Sequence, residues 1–169
     1  IFILSQDKTF SGGTTIDAFA GLQTYYNQGN QPCLHISWLF NLAGKPSLSQ
    51  KWVRAILDEF YGTEGIHGYG YGQDEDQGQL GAWYVISSIG LFDIVGLASE
   101  NPTLALGIPL FDKVTIKLNK RYYPGDTFVI KTKNNNKTNL YVQEYRLNGE
   151  SLQEPFIPFK NVVEGVVLE

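Results

Sequence analysis

The 169-residue chain has no methionine, one cysteine and few charges, with Asp, Glu, Lys and Arg making up 18% of it. No apolar run in it approaches the ~20 residues a membrane-spanning helix needs. Cys33, standing alone, excludes an internal disulfide and a cysteine-built zinc site. A lone thiol reads as a small buried hydrophobe before it reads as a nucleophile. The low charge, combined with 43% hydrophobic and 14% aromatic residues, excludes a disordered chain. Ile1-Phe2-Ile3-Leu4 is too short for a signal peptide and lacks a basic flank. The missing methionine, absent even at position 1, raises the expectation that the sequence starts partway through a longer product.

What is present suffices for one domain, since a chain of this length buries roughly 70% of its unfolded surface. Charge is uneven along it. Residues 1–98 carry nine acids and four bases, whereas residues 99–169 carry eight acids and nine bases. The acidic first part would repel phosphate, which argues against nucleic-acid binding. The lysines of the second part are spread along strand-like segments and read as solvated sheet faces. Asn136-Lys137-Thr138 fits the glycosylation triplet.

Two periods divide the chain. Up to residue ~95 it reads as helices joined by glycine-rich loops. A first helix is expected over Thr15–Asn27, and a second from Pro32 to a stop at Gly44. The third has Ser47 and Gln50 in a capping-box pattern, with Leu48, Trp52, Ile56 and Phe60 on one face. Lys51, Arg54, Asp58 and Glu59 take its other side, and Gly62 ends it. The fourth starts near Asp76 and closes at Gly90.

Beyond residue ~100 the period is two. Lys113–Leu118, Phe128–Lys131 and Tyr141–Leu147 alternate apolar and polar residues, as half-buried antiparallel strands do. Tyr123–Asp126 and Asn134–Asn136 read as turns, and Asn148-Gly149 is a strong hairpin signal. The expected fold is therefore α+β, with helical hairpins in residues 1–98 and a small antiparallel sheet or sandwich unit in residues 99–169. Helices apolar on such wide faces want more partners than this chain supplies.

Two loops could carry chemistry. Seven glycines fall between Gly62 and Gly81, and among them lie Asp74, Glu75 and Asp76 directly before a helix. Glycine lets a ligand approach the backbone closely. Adjacent acids repel, so burial would raise the pKa of one of them, or they bind a hard cation through oxygen. Equally, Asp76 could simply cap its helix. Neither EF-hand spacing nor a lysine after the glycines is present. The second loop, Tyr25 to His35, holds the amides of Gln28, Asn30 and Gln31. Amides serve as helix caps, as oxygen ligands for calcium or as partners of sugar hydroxyls. His35 reads first as a core histidine, and Trp38, Trp52 and Trp83 as core aromatics.

These motifs, in order, resemble one family. Gly29-Asn30-Gln31-Pro32 with His35, Ser49 to Arg54, Asp74-Glu75-Asp76-Gln77-Gly78-Gln79, and Ala82-Trp83-Tyr84-Val85 look like the C-terminal region of glycoside hydrolase family 92. Leu106 to Phe111 and Leu147-Asn148-Gly149 add to the likeness. The family comprises calcium-dependent, inverting exo-α-mannosidases with an N-terminal β-sandwich and a large (α/α)6 barrel. The resemblance implies that residues 1–98 form the end of that barrel and residues 99–169 the strands after it. It implies Asp74 and Asp76 as the general-base pair, with the general-acid glutamate upstream of this segment. It also implies Ca2+, with Asn30 and Gln31 as candidate ligands and Gln28, Asn30 and His35 as candidate sugar contacts. Many members carry Glu where this chain has Gln31. The implied partners are mannose-containing glycans and the rest of the parent enzyme, in a bacterial periplasm or outside the cell. Two non-catalytic readings stand beside it: a carbohydrate-binding module and a structural segment.

Overall fold

The computed structural model describes Tyr26, Gln28, Gly29, residues 31–61 and residues 78–169. The expected helix over Thr15–Asn27 lies outside these residues apart from Tyr26, which is not helical.

The expected second helix is broken into pieces. Two short 3-10 turns, Gln31–Cys33 and Ile36–Trp38, lead into α1 (Leu39–Leu42). A physical reason is visible between the turns, where the carbonyl of Leu34 accepts a 2.8 Å hydrogen bond from the Trp83 indole. Gly44, at φ +68°, follows α1 as the expected stop. Trp38 is fully buried and stacks on Phe92 at 5.4 Å. Its ring lies so close to Gly107 that a Cβ there would come within 2.7 Å of it, so only glycine fits.

Helix α2 (Pro46–Glu59) starts without a capping box. Proline occupies the first turn, where its missing N–H costs nothing, and Lys45 supplies no side-chain cap. Ser47 is exposed, while Gln50 is buried and its amide leaves the helix altogether. Gln50 Nε2 donates to the Tyr145 hydroxyl at 2.9 Å, and its Oε1 accepts from the Val142 amide at 3.1 Å. The buried face also differs from the expected one. Val53, Ile56, Leu57 and Phe60 are buried, whereas Leu48 is exposed. Arg54, expected on the side away from the apolar face, is buried, and its Nη2 donates to the Pro109 carbonyl at 3.3 Å. Helix α3 (Gln79–Ser88) opens after Gly78 and ends before Gly90, both with positive φ. Asp76, its expected start, lies outside the described residues.

Eight short strands follow: β1 (Leu91–Phe92), β2 (Thr103–Leu106), β3 (Lys113–Lys117), β4 (Thr127–Lys131), β5 (Tyr145–Leu147), β6 (Glu150–Leu152), β7 (Phe156–Pro158) and β8 (Val167–Leu168). Helix α4 (Phe159–Glu164) separates the last two. One sheet has the order β1-β2-β7 and is antiparallel throughout. The other runs β3-β4-β8-β5-β6, in which β8 pairs parallel with β4 and antiparallel with β5. That parallel pair departs from the purely antiparallel expectation.

The alternation read from sequence is realised in β3 and β4, which pair from Lys113↔Lys131 to Lys117↔Thr127. Phe128 and Ile130 point inward and are buried. The third expected strand shrinks to Tyr145–Leu147, because the Val142 amide is taken by Gln50 rather than by a neighbouring strand. Asn148 and Gly149, at φ +50° and +88°, make the two-residue turn between β5 and β6. The Asn148 side chain also accepts from the Val167 amide at 2.9 Å, which fixes β8 against β5.

Among the described residues, two apolar clusters hold the fold. The first gathers Trp38, Val53, Ile56, Leu57, Phe60 and Trp83 around the helices, with Ala105 of β2. The second lies between the sheets and joins Leu91, Leu104, Leu106 and Ile157 to Phe128, Ile130 and Leu168. Each fully buried residue of this kind contributes about 1.5–3 kcal/mol of hydrophobic stabilisation.

Candidate functional site

Asp74, Asp76 and Asn30 lie outside the described residues. The segments leading to them are described, and they meet. Gln28 has no exposed surface. Its Oε1 accepts a hydrogen bond from the Tyr26 hydroxyl, and its Nε2 donates to the Tyr61 hydroxyl at 3.2 Å. Both ends of the amide are therefore held by tyrosines, a placement suited to fixing the loop. Burial above all, with Cys33 and Tyr61 nearby, pushes the Tyr26 phenol well above its ordinary range. Like any phenol it is protonated near neutral pH, and it donates to Gln28.

Tyr61 is the last described residue before the acidic segment, and Gly78 is the first after it. The Tyr61 hydroxyl donates to the Leu80 carbonyl, 19 positions on, at 3.0 Å. Its ring stacks on Trp83 with centroids 5.7 Å apart and planes within 10°. Trp83 in turn ties α3 to Leu34. One aromatic and hydrogen-bonded knot therefore joins the start of the amide loop, the end of α2 and the start of α3.

The other sequence candidates fall around this knot. Gln31 opens the first 3-10 turn and is half-buried. His35 is exposed between the two turns, not in the core. Cys33 is a free thiol, half-buried at the edge of the helical cluster. Trp38 and Trp83 are buried, so neither offers a face to a sugar; Trp52 is half-buried beneath Lys51. The sequence places Tyr26 inside the second candidate loop without a role, and it does not single out Tyr61. The one available signal for Tyr61 was its position, directly between the end of α2 and the glycine-rich run.

A hard cation such as calcium takes six to eight oxygen ligands. Among the described residues no three His, Cys, Asp or Glu side chains lie together. Of the two candidate ligands only Gln31 is described, and it brings one neutral oxygen. The described residues do not by themselves compose such a site.

An open concavity lies in the sheet unit. It is an open groove of about 780 Å³, bordered by Asn134, Asn135, Thr138, Tyr141, Gln143 and Arg146 among others. Much of its polar edge is already engaged. Asn136 Oδ1 accepts from the Thr138 hydroxyl at 2.7 Å, Asn139 Nδ2 donates to the Asn134 carbonyl, and Asn135 Nδ2 donates to the Pro109 carbonyl. Among the described residues, no helix is long and apolar enough to cross a membrane.

Comparisons with known proteins bear on the whole segment. The sequence pattern described as the glycosyl hydrolase family 92 catalytic domain matches residues 2–169. A family 92 α-mannosidase of Bacteroides thetaiotaomicron is similar in structure, with 30% identity and a TM-score of 0.73, over 86% of this chain and 18% of that one. An inverting family 92 mannosidase of the same organism matches with 30% identity and a TM-score of 0.71, over 95% of this chain and 21% of that one. An uncharacterized secreted glycosidase of Arthroderma benhamiae is 28% identical over 145 residues, which is 83% of this chain and 17% of that protein. The chain thus spans about a fifth of the length of these relatives.

Proposed function

The chain belongs to glycoside hydrolase family 92, and from that premise we propose that it is part of an exo-α-mannosidase that hydrolyses terminal α-linked mannose with inversion. The observation that carries this reading is the family match over residues 2–169, with Asp74-Glu75-Asp76-Gln77-Gly78-Gln79 inside that range. The helices would be the end of an (α/α)6 barrel completed by chain outside this sequence. The sheets would be the strands that follow it. Export to the periplasm or the exterior fits the secreted description of the fungal relative.

Inversion needs two carboxyl groups on opposite faces of the sugar, roughly 6.5–9.5 Å apart, so that a water fits between one of them and the anomeric carbon. In the proposal, Asp74 and Asp76 supply that base function. One carboxylate takes the water's proton as its oxygen attacks, while the neighbouring carboxylate orients the water or raises its partner's pKa. The leaving oxygen is protonated by a glutamate from outside this segment. Asn30 and His35 remain the proposed sugar-side residues, and Gln28, buried with both ends of its amide held by tyrosines, supports their loop. Calcium is proposed as well, with Asn30 and Gln31 contributing and other ligands coming from elsewhere. When bound, such a cation holds sugar hydroxyls and favours distortion of the ring.

The test is hydrolysis of an α-mannoside by the full-length protein, with and without a calcium chelator. Mannose should be released, and chelation should suppress the release until calcium is restored. The 169 residues alone should release none, because the acid and much of the pocket lie outside them. Binding of mannosides that survives Asp74→Ala and Asp76→Ala but requires residues of the sheet groove would favour a binding module instead.

A further inference from the structure

We propose that the groove of the sheet unit is an open strand position inside the five-stranded sheet, and that an extended segment of the longer protein fills it, in line with β8. The order β3-β4-β8-β5-β6 puts β8 in the middle, yet β8 is only two residues long. Strands usually run to about five or six residues. β4 pairs with β3 along its whole length, from Thr127 to Lys131, but with β8 only at Val129 and Ile130. On the other side, Glu169 and Arg146 exchange amide–carbonyl bonds at 2.7 and 2.8 Å, and there the ladder stops. Thr132 and Lys133 on one side, and Glu144 and Tyr145 on the other, run past that point and border the groove of about 780 Å³.

The backbone along both sides is unspent. Ladder bonds fall on alternate residues of a strand. Asn148 and Arg146 bond across to Val167 and Glu169, so Glu144 is the next residue on that edge. On β4 the Val129 amide donates to the Val166 carbonyl, and alternation carries that edge on to Lys131 and Lys133. The backbone N–H and C=O of Glu144 and of Lys133 have no partner among the described residues. The side chains, by contrast, are engaged: Arg146 with Glu144, Asn135 with the Pro109 carbonyl, Tyr145 with Gln50. A sugar needs free polar side chains, whereas a strand needs free backbone groups and an apolar surface to cover. Ile108, Ile130 and Leu168, all buried, border the groove and supply that surface. Along the line of β8, the second place beyond Leu168 then turns an apolar side chain inward. The occupant is assigned to the same polypeptide because the chain spans about a fifth of the length of its relatives, which leaves ample chain to supply it. A segment on a short tether acts at an effective concentration on the order of mM, so it holds a position that a free peptide would leave.

The test is amide hydrogen exchange in the full-length protein, read by mass spectrometry, together with the variants Glu144→Pro and Glu144→Ala. The amides of Glu144 and Lys133 should exchange on the order of 100-fold more slowly than that of Lys137, an exposed loop residue. Glu144→Pro removes the N–H that the added strand would bond, and should lower the melting temperature by several degrees and speed exchange at Lys133. Glu144→Ala removes the carboxylate but keeps the N–H, and should leave both close to wild type. Exchange at Glu144 and Lys133 as fast as at Lys137, or equal melting temperatures for the two variants, would overturn the proposal. Protection that arises only when methyl α-mannoside is added, or only at high protein concentration, would overturn it too, since the occupant would then be a sugar or a second copy.

Discussion

The helical segment and the sheet unit use polar residues in opposite ways. Around the helices, polar side chains are buried and reach far along the sequence: Gln28 to Tyr61, Asn41 to Leu106 and Pro155, Gln50 to Tyr145, Arg54 to Pro109. In the sheet unit, the polar side chains pair at the surface and mostly nearby. Lys120 with Asp126, Arg146 with Glu144 and Lys160 with Glu164 are such pairs, all largely exposed on at least one side. A surface pair contributes about 0–1 kcal/mol, whereas a buried hydrogen bond left half-made costs about 1–3 kcal/mol. The difference places specificity of geometry in the helical segment, where the candidate site lies. The sheet unit gains its stability from apolar burial between its two layers.

The strongest way to sharpen this contrast is at the acidic loop. Asp76→Asn in the full-length protein should cost about 10²- to 10⁴-fold in kcat, the usual size of a lost general base. No substitution at the exposed ion pairs of the sheet unit should affect turnover. Steady-state kinetics on an α-mannoside separates the two.

Next in size is Trp38→Ala, which empties a fully buried site against Phe92 and Gly107. It should destabilise the fold by about 3–5 kcal/mol, read from denaturant titration. Gln50→Leu follows. It leaves the Val142 amide without its acceptor and the Tyr145 hydroxyl without one donor, at a cost of about 1–3 kcal/mol. Faster hydrogen exchange at Val142 would mark the lost contact.

Smallest is Arg146→Ala. The hydrogen bond from Arg146 is the main cause that holds the Glu144 carboxyl below its usual range. A carboxylate depressed in the folded state adds stability above its unfolded pKa, and that stability is lost as pH falls through the folded pKa. The variant should flatten this slight acid dependence in a pH series of thermal melts, while stability at neutral pH barely moves. A large neutral-pH loss would break the contrast between the two regions.

The sequence revealed those parts of the fold whose cause is local. Alternation marked β3 and β4, and Asn148-Gly149 marked its turn, because a strand's period and a left-handed turn are written within a few residues. Apolar residues marked α2 and α3 as helices. Contacts made across the fold were not legible. Gln50 reads as a capping residue until its partner, 95 positions away, is known. Arg54 reads as lying off the apolar face until its contact with Pro109 is known. The helix expected from Pro32 breaks where Trp83, 49 positions on, claims the Leu34 carbonyl. The strands β1, β2, β7 and β8 are too short to carry a period. At the candidate site, motif likeness pointed to Asp74, Asp76 and the amide loop, while the tyrosines that hold the neighbouring segments together carry no local pattern.

The most direct test of the account follows the anomeric form of the sugar first released by the full-length protein from a methyl α-mannoside, by proton NMR. The account predicts β-mannose appearing first and then mutarotating, with the release lost in Asp76→Asn. Early α-mannose, or release undiminished by that substitution, would contradict it.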